Sequence, residues 1–179
     1  MSQFMWIVLS VALTVFALAG AVSDARSQRI PNRLVLAGLL SALVLRAGSG
    51  LTPLAYGLAG GAIAFVIGFP LFALRAFGGG DVKFLTVCGL FVGLPLIGKT
   101  ALFSGAAGGI LALIVIARRR LPLVAALRTW NLMRHAATLG QNGERMTLQD
   151  EGAIAAPYAV AIATGALIAW FGTAGGWIP

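Results

Sequence analysis

Two aspartates carry the chemistry that this sequence could perform. Asp81 follows three glycines in FGGGDVKF, residues 77–84, and Asp24 lies in the first polar cluster, SDARSQRIPNR, residues 23–33. Apolar segments flank both. A carboxylate at the edge of a membrane core is costly and calls for a purpose. Two carboxylates sharing one site cannot both ionise easily, so one keeps its proton. The ionised partner can then take a proton from water while the neutral one donates a hydrogen bond to a carbonyl. That combination hydrolyses a peptide bond without a covalent intermediate. Gly78, Gly79 and Gly80 form a flexible break between helices and leave room for a substrate backbone beside Asp81.

Each aspartate also has an ordinary reading. Asp81 stands where an N-cap would stand before a helix, and Asp24 could pair with Arg26 or Arg29. A small transporter using both acids as proton- or cation-binding groups is a rival, although transporter sites usually lie nearer the midplane. A structural membrane scaffold held by small-residue helix faces is a third reading.

The elements that must position these residues are membrane helices. Of the 179 residues only 10% are charged, and mean hydropathy is +0.95. A soluble domain would carry about 25% charged residues. The net charge of +8 is not arranged as a basic stripe interleaved with aromatics, so nucleic acid is not expected as a partner. The pattern predicts an all-α polytopic protein of one domain over 1–179, with six transmembrane helices at about 4–22, 32–45, 54–76, 82–94, 101–117 and 153–171. The first is read as a retained span rather than a cleaved signal. Pro31 suits the opening turn of the second helix, which starts at Asn32. Gly57 with Gly61, Gly89 with Gly93, and Gly105 with Gly109 each give a small-residue face. Residues 121–151 form a cytoplasmic loop whose first half reads as an interfacial helix.

With the N-terminus outside, eleven cations fall on the cytoplasmic side and only Arg46 and Lys99 outside. Asp24 closes the first span and Asp81 opens the fourth, so topology places both at one depth, facing the cytosol. Cys88, the single cysteine, is expected to be a buried hydrophobe. His135 is the single histidine and lacks a second strong ligand nearby, so neither a metal nor another cofactor is expected.

Gly78-x-Gly80-Asp81 resembles the GxGD signature of intramembrane aspartyl proteases, and GGGDVKF resembles its form in type IV prepilin peptidases. Asp24 followed by RIPN, residues 29–32, is similar to the first-aspartate segment of the same enzymes. Pro157–Tyr158 is similar to the P-Y/F-G stretch of their last helix, with Ala159 in place of the usual glycine. The resemblance implies that Asp24 and Asp81 are catalytic and that Gly78, Gly80 and Lys83 are motif residues. It implies an inner-membrane enzyme that cuts the short basic leader of prepilins and pseudopilins at the cytoplasmic face. Membrane lipid surrounds such an enzyme, and a homo-oligomer is compatible with the glycine faces. Longer members carry two CxxC pairs in a cytoplasmic insert linked to N-methylation. This chain has neither, resembles the short form found with Flp/Tad pili, and is not expected to transfer methyl groups.

Overall fold

The structure, a computed structural model, describes residues 2–74, 77–118 and 158–174. The chain divides into two compact units, residues 1–108 with 157–179, and residues 109–156. The site lies in the first unit. Of the second, only the last turns of one helix are described. The expected interfacial helix, His135 and Pro157 lie outside the described residues.

Six helices are described: α1 (Gln3–Ser27), α2 (Asn32–Gly48), α3 (Leu51–Ala73), α4 (Gly79–Val92), α5 (Leu94–Arg118) and α6 (Tyr158–Ala174). The all-helical expectation holds. Three of them, Gln3–Ser27, Leu51–Ala73 and Leu94–Ile114, are long and apolar enough to cross a membrane, and Tyr158–Thr173 is apolar but shorter. Their outward residues, among them Val11, Val15, Val66 and Leu102, are large and apolar, as contact with lipid requires.

Local sequence sets the helix ends. Ser2 is the N-cap of α1, its hydroxyl accepting the Met5 N–H at 3.3 Å. The α1 helix outlasts its expected end by about a turn. It stops where Gln28 turns left-handed, with φ 52°, and its N–H returns to the Asp24 carbonyl at 2.8 Å. Pro31 then serves as the N-cap of α2, one position ahead of the opening turn expected for it. The fourth and fifth helices were expected to be separated by a connection over residues 95–100. Instead α5 begins at Leu94, and Pro95 occupies its first turn, where a missing N–H leaves no bond unmade. The reversal between α4 and α5 is made at Gly93, whose φ of +78° is open to glycine and strained for other residues.

The glycine run departs most from expectation. Only Gly78 lies outside α4. It is the N-cap, and Gly79 and Gly80 are the first two helical residues. Once the flanking chain is packed, a helix start tolerates glycine, because its first N–H groups have no intrahelical partner to lose.

The core centres on α4. Val82, Phe84, Leu85, Val87, Cys88, Leu90, Phe91 and Val92 are all buried, on every side of the helix. Cys88 is therefore the buried small hydrophobe expected. Phe16 of α1 packs on Phe84 and Phe91, with ring centroids 4.9 Å and 5.8 Å away. On the opposite side α3 approaches through glycine. A Cβ at Gly60 would lie 2.5 Å from the Gly89 carbonyl oxygen and 2.6 Å from the Gly93 carbonyl carbon, so backbone meets backbone. Gly57, Gly61, Gly89 and Gly93 thus serve packing within the chain. A Cβ at Gly105 or Gly109 would meet nothing within 4 Å among the described residues.

Arg46 was expected as a charge on the outer side of the membrane. Within the bundle it is buried. Its guanidinium donates to the Phe91 carbonyl near the end of α4, a group left without a helical partner, and to the Pro53 carbonyl in the first turn of α3.

Gly60→Val should lower stability by roughly 3 kcal/mol, at the upper end of overpacking costs because the obstructing atoms are backbone. Gly98→Ala, where an added Cβ meets nothing within 4 Å among the described residues, should change it by less than about 1 kcal/mol. Thermal unfolding in detergent measures both.

Candidate active site

The end of α1, the loop to α2, and the starts of α4 and α6 meet around the two aspartates. Asp24 sits in the last turn of α1 and is buried, with 6% of its surface exposed. Neighbouring arginines do not hold it; Arg26 and Arg29 are exposed. Its Oδ2 accepts the backbone N–H of Ala159 at 2.9 Å. Ala159 is the second residue of α6, where N–H groups are free to reach outward and the helix dipole favours a negative charge.

Asp81 is the third residue of α4 and is half-buried. Its Oδ2 accepts the Gly78 N–H at 3.0 Å. This is one half of a capping box; glycine has no side chain to supply the other half. The ordinary N-cap reading is thus shifted by three positions, because Gly78 caps and Asp81 reaches back to it.

The two carboxylates are near enough to act on each other. Burial pushes the Asp81 carboxyl up to about 6. The Gly78 N–H opposes this, and the charge of Asp24 adds to it. Close approach of α1 and α4 is permitted at Gly20, one turn before Asp24, where any Cβ would collide with the Phe84 ring.

The remaining motif residues frame this pair. The Lys83 ammonium donates to the Asn32 side-chain oxygen at 3.2 Å, tying α4 to the start of α2. Pro31 and Asn32 are exposed beside it. A Cβ at Gly80 would lie 3.5 Å from the Cβ of Ile30, so Gly80 marks contact with the α1–α2 loop. That loop is braced by the Ser23 hydroxyl, which donates to the Arg29 carbonyl at 2.8 Å. Gly78 and Gly79 are exposed. The structure therefore brings Asp24, Asp81, Gly78, Gly79, Gly80, Lys83, Pro31 and Asn32 to one end of the unit.

Sequence reasoning missed two contributors. Ala159 acts through its backbone, which no residue pattern reveals. Phe77 packs on Tyr158, ring centroids 5.1 Å apart. The motif-like Pro157–Tyr158 was the one signal that α6 belongs near the site. Among the described residues no cluster of three or more His, Cys, Asp or Glu could hold a metal ion.

The family described as the type IV leader peptidase family matches residues 11–113. The match spans both aspartates and the loop between α1 and α2. No match is found among curated proteins or among solved structures.

Removing the charge of Asp24 should let Asp81 ionise more readily. In Asp24→Asn the Asp81 midpoint should fall below about 6 but stay above the ordinary carboxylate range, because burial, the larger cause, remains; ¹³C NMR of aspartate-labelled protein in detergent reads it directly.

Proposed function

The chain belongs to the type IV leader peptidase family, and from that premise we propose that it is a membrane aspartyl endopeptidase with Asp24 and Asp81 as its catalytic pair. Its substrates in this reading are type IV prepilins and pseudopilins, those of Flp-type pili in particular. It removes their basic leader at the cytoplasmic face of the inner membrane. The observation that carries the reading is that the two aspartates, from helices remote in sequence, come to one end of the unit, where the Asp24 charge acts on Asp81.

The mechanism follows from that pairing. A water molecule between the carboxylates loses a proton to the ionised one as its oxygen attacks the scissile carbonyl carbon. The neutral carboxyl donates a hydrogen bond to the carbonyl oxygen, where negative charge develops. Collapse of the tetrahedral intermediate breaks the carbon–nitrogen bond, and the captured proton leaves on the amine. An Asp81 carboxyl near 6 suits the neutral role, because an appreciable fraction keeps its proton close to neutral pH. Gly78 and Gly79, exposed and without side chains, let an extended substrate backbone lie beside Asp81. Lys83 and Asn32 hold the α1–α2 loop at the rim.

The proposed topology has six spans, the N-terminus outside and both aspartates toward the cytosol. Methyl transfer forms no part of this function. The transporter alternative is less well supported, since both acids sit at helix ends and the family is one of peptidases.

Purified protein in detergent should shorten a synthetic prepilin that carries a basic leader. Asp24→Asn and Asp81→Asn should each abolish cleavage, a loss of at least about 1000-fold, while thermal unfolding stays close to wild type. Cleavage at the wild-type rate by either variant would refute the pair. Cysteine labelling beside Asp24 should succeed only from the cytoplasmic side; labelling only from outside would overturn the topology.

A further inference from the structure

Each aspartate is held by a backbone N–H, and the residues just before the two donors touch. Asp81 accepts from Gly78, which follows Phe77, and Asp24 accepts from Ala159, which follows Tyr158. The Phe77 and Tyr158 rings lie 5.1 Å apart with their planes inclined by 41°. Tyr158 is half-buried, and the charge of Asp81 reaches its hydroxyl. These two rings therefore link the chain that carries one carboxylate's donor to the chain that carries the other's.

We propose that the Phe77–Tyr158 ring pair is the positioning device of the aspartate pair. It seats the first turn of α6 against the chain entering α4 and so sets the separation of Asp24 and Asp81. This rests on the peptidase reading for its consequence but not for its geometry. On one side the donor Gly78 opens the glycine run of FGGGD, so backbone stiffness there does little to fix the spacing. An aromatic contact can fix it, because two rings restrict both distance and tilt. The groups that face Asp81 are the Gly78 N–H ahead of it, Asp24 from α1, and Tyr158 from α6, which feels its charge. On its own helix Lys83 is engaged with Asn32.

The test compares Tyr158→Phe, which keeps the ring, with Tyr158→Ala, which removes it. The chain has three aspartates, Asp24, Asp81 and Asp150. Carboxyl ¹³C titration of labelled protein in detergent therefore resolves Asp81, assigned by its loss in Asp81→Asn. Tyr158→Phe should keep the wild-type midpoint. Tyr158→Ala should lower it, by no more than Asp24→Asn does, as the Asp24 charge recedes, and that drop should vanish in an Asp24→Asn background. Prepilin cleavage should fall about 100-fold in Tyr158→Ala, as expected for a small misplacement of reacting groups, and stay near wild type in Tyr158→Phe. Phe77→Leu approaches the contact from the other side and should reproduce Tyr158→Ala, which keeps the test intact if the latter does not fold.

An unchanged midpoint in both ring-removing variants would overturn the proposal. So would a drop that persists in full in Asp24→Asn, since the rings would then only shield Asp81 from water. A loss in Tyr158→Phe as large as in Tyr158→Ala would place the function in the hydroxyl and also refute it. If wild-type protein cleaves no prepilin, the peptidase reading fails, while the titration still decides the ring pair.

Discussion

Burial of α4 beyond its first turn is the constraint on which the rest of this structure depends. At its enclosed far end the helix cannot use water to satisfy its backbone groups. Both ends of α4 are closed by side chains. At the start, Asp81 accepts the Gly78 N–H. At the end, Arg46 donates to the Phe91 carbonyl. Among the described residues the guanidinium has no carboxylate partner, and the carbonyls of Phe91 and Pro53 are the acceptors that offset its removal from water. Such fixed ends leave α4 little freedom to slide along its axis. That matters because the residue at its first turn is the one whose depth decides the chemistry.

The electrostatics at that turn set two effects against each other. A helix N-terminus and a backbone N–H favour an ionised carboxylate, typically by about 0.3–1 kcal/mol for the dipole. Burial and the neighbouring Asp24 charge oppose ionisation, and the Asp81 carboxyl is pushed from 3.8 to about 6. That shift corresponds to roughly 2–3 kcal/mol once solvent screening at a half-buried site is allowed for. Burial therefore wins. A cap at a solvated helix start would have had the reverse balance and would remain fully charged at neutral pH. The same residue type at the same helix position becomes an acid suited to proton chemistry only because α4 is enclosed.

Much of this was legible in the sequence, for reasons that can be located. The apolar lengths and the polar cluster at 23–33 marked the helices, and Pro31–Asn32 marked the start of α2 to within a residue. The two aspartates were visible because carboxylates are conspicuous in so apolar a chain. What was hidden depends on partners remote in sequence. Arg46 looked like an outer-face charge because nothing local tells that Phe91 and Pro53 bring carbonyls to it. Gly79 and Gly80 looked like a loop because glycine disfavours helix locally; the packing of Phe84 and its neighbours outweighs roughly 1 kcal/mol per glycine. Gly57, Gly60 and Gly61 could be recognised as a packing face, but not assigned to α4 rather than to a second copy of the chain.

The role of α6 shows why side-chain patterns understate a site. The family match ends at residue 113, yet the donor to Asp24 is residue 159. What α6 supplies there is a main-chain N–H at its first turn, which every residue but proline possesses. Ala159 stands where the resembling P-Y/F-G stretch has glycine, and this departure leaves the hydrogen bond untouched. Its methyl group is fully buried, so the extra carbon adds packing to the bundle rather than crowding the carboxylate. A substitution beside a catalytic candidate is thus neutral for a definite reason. The site uses the amide, and the side chain belongs to the core.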